Sequence, residues 1–312
     1  MSLSPLALYC LISFNKHSAR CTSSKLNTKY IFAIHQSYCM PREMQKFDEA
    51  LSYLKGIYAH VPEVGIVLGS GLSNFIEDVE IEKEVSYDAI PHFPVSTVEG
   101  HKGKLIFGNL SGKKIVCMAG RFHFYEGYEA EQVVFPVRIM KLLGIKALLL
   151  SNAAGGVNPN FRVGDMMIIT DHVSFFMKNP LIGKNISAFG TRFPDMSEPY
   201  TKELIQKAKI IGQKLGISLR EGVYYGVTGP TYETHAEYKL IHALGGDAVG
   251  MSTVQECIVA NHMGLPVFAM SVITDIGIRE DETRITHEEV LHAAKQAEPR
   301  FAAIFKEMVA AI

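Results

Sequence analysis

Lys114-Ile-Val-Cys-Met-Ala-Gly-Arg-Phe-His-Phe-Tyr-Glu-Gly-Tyr128 changes character at its middle. The first half is an apolar run that reads as a buried strand. The second, bracketed by Gly120 and Gly127, leaves the sheet as a loop. Side chains two apart share a face in an extended segment. Arg121, His123 and Tyr125 are then expected on one face, with Phe122, Phe124 and Glu126 on the other. A cation, an imidazole and a phenol along one edge suit an anion with a polar organic body, because the guanidinium fork matches phosphate or carboxylate. The plain alternative is a core loop in which Arg121 pairs with Glu126.

The same change from apolar run to polar loop recurs along the chain. Val64–Leu68 opens into Gly69-Ser-Gly-Leu-Ser73, and Ala147–Leu150 into Ser151-Asn-Ala-Ala-Gly-Gly156. Gly222–Val227 leads into Thr228-Gly-Pro-Thr-Tyr-Glu233, and Leu265–Ile273, read as a central strand, ends in Thr274-Asp275. Met166–Thr170 is a further strand, and Lys104–Phe107 with Lys114–Met118 forms a hairpin around Asn109-Leu-Ser-Gly112. Helical spacing covers Glu43–Ala59, Ala130–Leu143 with Gly144 as C-cap, Tyr200–Leu215 closed by Gly216, and 287–311, where Pro299 predicts a break or kink. Residues 175–200 read as irregular. Three Thr-x-x-Glu pairs, Thr234/Glu237, Thr253/Glu256 and Thr286/Glu289, have capping-box spacing and mark helix starts. Strand–helix alternation without repeats argues one α/β domain with a largely buried sheet. Polar groups recur at the strand ends (Ser70, Asn152, Glu233, Asp275), where open α/β sheets bind ligands.

Composition narrows the ligand. The 312 residues are 47% hydrophobic and 20% charged, with a formal net charge of −1. No basic cluster exceeds Lys113-Lys114, which argues against nucleic acid or an anionic membrane as partner. An anion must therefore be held by a few placed groups. Gly69-Ser-Gly71 is neither a dinucleotide fingerprint nor a P-loop. The twelve histidines form no ligand cluster with Cys or Asp, so no metal centre is expected. Of five cysteines, Cys117 and Cys257 sit in apolar patterns as buried thiols, which favours a reducing, cytoplasmic setting. Residues 1–43 read as an extension, dispensable or disordered, and 44–312 as the domain. The apolar stretch 5–14 is too short to span a bilayer and lacks the flanks of a signal peptide.

Together the segments GSGLS (69–73), STVEGHKG (96–103), GRFHFYEGY (120–128), SNAAGG (151–156), GPTYET (229–234), DAVGMSTVQE (247–256) and ITHEEV (285–290) are specific. Through them the chain resembles the trimeric, low-molecular-mass purine nucleoside phosphorylases. The resemblance implies a single α/β domain, with a mixed central sheet flanked by helices on both sides. It implies phosphorolysis of purine (2′-deoxy)ribonucleosides, of the inosine and guanosine type, to free base and (2-deoxy)ribose 1-phosphate. It also implies a homotrimer, with phosphate as co-substrate and no cofactor. Ser70, His101, Arg121, His123, the Ala153 N–H and Ser252 are the implied phosphate contacts. Tyr125, Met251 and His287 are the implied ribose contacts, Tyr224 and Tyr232 line the base and sugar pocket, and Glu233 takes the purine N1–H edge. Phe176 is the nearest match to an aromatic that closes the site from a neighbouring subunit. His123, Glu233 and Asp275 are the expected catalytic groups. Taken singly, Glu233 reads as a first-turn helix acid, His287 as an exposed helix residue, Ser252 as a cap and Asp275 as a turn former.

One position departs from the pattern. After Thr274, many relatives specific for 6-oxopurines carry Asn, where this chain has Asp275. An ionised carboxylate only accepts hydrogen bonds and suits a 6-amino group, whereas a protonated one donates much as an amide does. With Glu233 nearby, two carboxylates raise one another's pKa, so the expectation is a neutral Asp275 and 6-oxopurine substrates. A methylthioadenosine- or adenosine-preferring phosphorylase is the alternative, and a non-catalytic nucleoside- or phosphate-binding protein is a second.

Overall fold

Among the described residues nine strands form, most of them from the apolar runs. Glu80–Ser86 and Ala248–Gly250 were not expected, the first because its side chains are mostly polar and the second because it is three residues long. The structure, a computed structural model, describes residues 43–97, 102–278 and 285–312; the expectations for residues 1–42 and for His101 lie outside them. Residues 45–312 form one unit. In order they are α1 (Gln45–Ile57), β1 (Val64–Val67), β2 (Glu80–Ser86), β3 (Lys104–Leu110), β4 (Lys113–Ala119), α2 (Ala130–Val133), α3 (Phe135–Leu143), β5 (Ala147–Gly156), β6 (Met166–Val173), α4 (Lys202–Leu215), β7 (Leu219–Gly226), α5 (His235–Ala243), β8 (Ala248–Gly250), α6 (Val254–His262), β9 (Val267–Ile276) and α7 (His287–Ala311).

The sheet is mixed. β2, β3 and β4 form an antiparallel meander, and β1 joins β4 and β5 in parallel. Beyond β5 the strands close on themselves. β5 pairs with β9, β9 with β6, β6 with β7, β7 with β8, and β8 returns to β5. β5 is therefore shared between an open sheet and a five-stranded ring. Its run Leu148-Leu149-Leu150 is wholly buried, as a strand covered on both faces must be. α4 packs with α7, which lies on β9, while α1 packs on α3 and α3 on α6. Phe301 and Phe305 of α7 are fully buried, 4.1 Å apart and close to Phe75 and Phe268.

Two helix expectations change. The span 130–143 is two helices, because Pro136 starts a new one in its first turn. Gly144 caps it at φ +113, as expected. α7 runs through Pro299 without a break. The β5–β9 ladder slips by one residue: Ala154 faces Ile273 but Gly155 faces Asp275, leaving Thr274 as an extra residue. This bulge lets the consecutive side chains of Thr274 and Asp275 line one cavity, which a regular strand forbids.

Candidate active site

A cavity of about 680 Å³, its mouth included, opens where β4, β5, β8 and β9 end. It is lined by Ser70, Arg121, His123, Tyr125, Ala153, Tyr232, Glu233, Met251, Ser252, Thr274, Asp275 and His287, all sequence candidates, and by Asn152, Ala154, Gly155, Tyr238, Val249, Gly250 and Val290.

The loop after β4 builds one end. Arg121 is 1% exposed. Its Nε and Nη2 donate to the Glu256 carboxylate at 3.1 and 3.0 Å, and Nη1 donates to the Ser151 carbonyl and lies 3.4 Å from Ser252 Oγ. The expected alternative partner, Glu126, holds His123 instead. The His123 N–H donates to Glu126 Oε1 at 2.7 Å, and Nδ1 lies 3.2 Å from the same oxygen. Oε2 accepts the Thr97 N–H and hydroxyl at 2.9 and 2.6 Å. Strict alternation fails here because a 3₁₀ turn, Phe124–Glu126, returns Glu126 to the side of His123. Arg121, His123 and Tyr125 still meet at the cavity, the two rings stacked with centroids 4.6 Å apart.

Burial opposes the charge on both partners, with different outcomes. For Glu126 the hydrogen bonds from His123 and Thr97 outweigh burial and hold its pKa at about 2. For His123 burial wins over the Glu126 bond, and the nearby Arg121 adds to it, so the imidazole titrates below its usual range. Since a carboxylate only accepts, Nδ1 carries the proton of the neutral ring.

Small residues at the end of β5 form the floor. Ser151 Oγ accepts the Gly69 N–H and donates to the Val67 carbonyl, both at 3.1 Å. A Cβ on Gly69 would meet the Asn152 Cα at 2.6 Å, so only glycine lets the Gly69–Ser73 turn lie against β5. Asn152, 1% exposed, donates from Nδ2 to Thr253 Oγ1 at 2.8 Å. Thr253 has φ +67, an uncommon conformation for a β-branched residue. Here one capping box fails. Thr234/Glu237 and Thr286/Glu289 cap reciprocally, but Thr253 makes no side-chain cap and Glu256 turns to Arg121.

The other end holds two carboxylates. Burial raises the pKa of Glu233; Asp275 and Glu237 add to this, and the Tyr238 hydroxyl opposes it. Asp275 is 8% exposed, with Oδ1 accepting the Thr274 hydroxyl at 3.1 Å. A Cβ at Gly155 would stand 2.9 Å from Asp275 Oδ2, so the missing side chain makes room for the acid. One expected lining residue lies elsewhere. Tyr224 is fully buried behind the cavity, its hydroxyl accepting the Ser252 N–H at 3.3 Å. Phe176 is 61% exposed and borders an adjoining groove with Tyr225 and Val227, which Tyr232 and Glu233 also line.

Tyr238, Val249, Gly250 and Val290 were not singled out from the sequence. Tyr238 lies one turn beyond the Thr234 cap and so faces the same way, a signal that helical spacing offers. Among the described residues, no group of three or more His, Cys, Asp or Glu side chains could hold a metal, and no helix is long and apolar enough to cross a membrane.

The arrangement joins a cation, an imidazole and hydroxyls at one end to paired carboxylates at the other. The comparisons agree with it. The Phosphorylase superfamily profile matches residues 63–310. Purine nucleoside phosphorylase 1 of Bacillus subtilis is 48% identical over 265 residues, 85% of this chain and 98% of that one. A crystal structure of purine nucleoside phosphorylase isoform 2 from Schistosoma mansoni, with cytosine and ribose-1-phosphate, superposes with a TM-score of 0.82 at 41% identity, covering 85% of this chain and 96% of that one. A Schistosoma mansoni enzyme in complex with adenosine gives 0.80 at 39%, covering 86% and 97%. The chain belongs to the phosphorylase superfamily and, within it, to the purine nucleoside phosphorylases, which are pentosyltransferases.

Proposed function

We propose that this enzyme splits 6-oxopurine ribonucleosides and 2′-deoxyribonucleosides with inorganic phosphate, giving the free base and (2-deoxy)ribose 1-phosphate. The observation that carries this reading is the polarity of one cavity, with Arg121, His123 and Ser252 at one end and Glu233 with Asp275 at the other. Phosphate sits against Ser70, Arg121, His123, Ser252 and the Ala153 N–H. The ribose lies along Tyr125, Met251 and His287, and the purine faces Glu233, Thr274, Asp275 and Tyr232. As the C1′–N9 bond breaks, its electron pair passes to the purine and positive charge develops on the ribose. A phosphate oxygen then forms the new bond to C1′. Held beside the sugar, phosphate is both counter-ion and nucleophile, so the chemistry calls for no metal or cofactor.

A protonated Asp275 donates a hydrogen bond at N7 and so stabilises the negative charge on the leaving base. Asp275 is buried and Glu233 half-buried in one cavity, where burial and the neighbouring Asp275 raise the Glu233 carboxyl, and this supports a proton held between the two acids. An ionised Asp275 would instead accept from a 6-amino group, and this favours adenosine as the second reading. The reading extends to a cytoplasmic homotrimer; the exposed side chains of Phe175, Ile182 and Phe193 along one groove support association between chains. The deciding assay follows base release from inosine, guanosine, adenosine and methylthioadenosine, with and without phosphate. Phosphate-dependent release, fastest from inosine and guanosine, is expected; faster release from adenosine or methylthioadenosine refutes the 6-oxopurine assignment.

A further inference from the structure

Glu256 occupies a position whose spacing from Thr253 calls for a helix cap, yet its side chain is used elsewhere. Thr253 adopts φ +67, Val254 N–H closes onto the Ser252 carbonyl at 2.7 Å, and no cap bond forms. Glu256 is thereby turned inward, 3% exposed, against Arg121, 1% exposed. Two near-parallel bonds, at 3.1 and 3.0 Å, tie the guanidinium to the first turn of α6. Nη1 is tied to the Ser151 carbonyl on β5 and lies toward Ser252, which lines the cavity. Strand β5 and the turn that opens α6 thus fix the plane of one guanidinium.

A buried ion pair is a poor device for stability, because desolvation of both charges offsets their attraction. This pair also cancels the charge of the arginine that faces the anion. Its value must then lie in direction. We propose that Glu256 is a positioning residue for phosphate: it fixes the plane of Arg121 so that the Nη1 edge is presented to the anion beside Ser252. This rests on the reading that phosphate binds at Arg121.

Removing the carboxylate has two opposed effects. The arginine gains net charge toward phosphate, and it loses the fork that orients it. Orientation wins, because bidentate recognition is angular and a buried guanidinium re-pairs with whatever acceptor is near. With the carboxylate gone, the Ser151 carbonyl and Ser252 still hold Nη1, and Nε and Nη2 lose the partner that sets the plane. Glutamine cannot replace the fork, since its amide nitrogen sets a donor against an arginine donor.

The test is steady-state phosphorolysis with phosphate and nucleoside varied separately, on Glu256→Gln, Glu256→Asp and Arg121→Met in the full chain. Glu256→Gln is expected to raise the KM for phosphate about tenfold or more, with the nucleoside KM within about twofold. Glu256→Asp keeps the charge one methylene back. It is expected to fold and still to raise the phosphate KM, which keeps the question open to measurement if the glutamine variant does not fold. An unchanged or lowered phosphate KM in either variant, with only the melting temperature reduced, overturns the proposal. Arg121→Met separates the underlying reading. If its phosphate KM matches wild type, phosphate does not bind at Arg121, whatever Glu256 does.

Discussion

Replacing Glu126 with glutamine tests the loop through a single carboxylate. In the folded chain its two oxygens accept four hydrogen bonds, two from His123 and two from Thr97. Together they carry its pKa from 4.5 to about 2. Taken whole, that fall corresponds to about 3.4 kcal/mol of stability at neutral pH. Solvent reaching the loop screens part of it, so about 2 kcal/mol is the working figure. Glutamine keeps an acceptor for His123 but turns a donor toward the Thr97 N–H. The expected result at pH 7 is a melting temperature lower by roughly 4–8 °C. The sign with pH follows from a depressed acid: its contribution is complete above 4.5 and disappears as pH falls through about 2. The gap between wild type and Glu126→Gln should therefore hold from pH 8 to 5.5 and shrink by roughly a quarter at pH 4. Thermal unfolding by circular dichroism across that range measures it. A gap below 1 °C at pH 7, or one that widens on acidification, would show that these bonds do not stabilise the fold.

Three further outcomes follow from the site. Gly155→Ala sets a methyl 2.9 Å from Asp275 Oδ2 and should raise the nucleoside KM about tenfold while leaving the phosphate KM nearly unchanged; equal rises in both would contradict the two-ended cavity. Asp275→Asn should retain inosine phosphorolysis, because an amide donates the same hydrogen bond at N7; loss of the inosine reaction would remove Asp275 from the hydrogen-bond donor role. Deleting residues 1–43 should leave kcat, both KM values and the melting temperature unaltered, and a loss in any of them would give the extension a function.

Much of this architecture was legible because apolar runs and polar strand ends are local signals. Val64–Val67, Leu148–Leu150 and Val267–Ile273 read as buried strands and are. Closure of the ring was not legible, since β5 and β9 meet across more than a hundred residues and nothing local encodes that pairing. Two of three Thr-x-x-Glu pairs cap their helices; the third fails because a buried arginine outcompetes a backbone N–H for the carboxylate. Alternation placed Arg121, His123 and Tyr125 correctly at one cavity and misplaced Glu126, which a 3₁₀ turn brings back. Tyr224 was expected in the pocket only through the resemblance, and it packs behind the cavity with its hydroxyl on the Ser252 N–H.

The extra residue in β9 separates two demands that a regular strand would force together. Ladder pairing depends on backbone, so the chemistry that 274 and 275 present to the cavity is free to vary by substitution at small cost to the sheet. Chain length there has no such freedom. Losing one residue would restore strict alternation and turn one of the two side chains out of the cavity. The lining at this end is evolvable letter by letter but intolerant of insertion and deletion, and an engineered change of what the cavity accepts there should alter the residues while keeping their number.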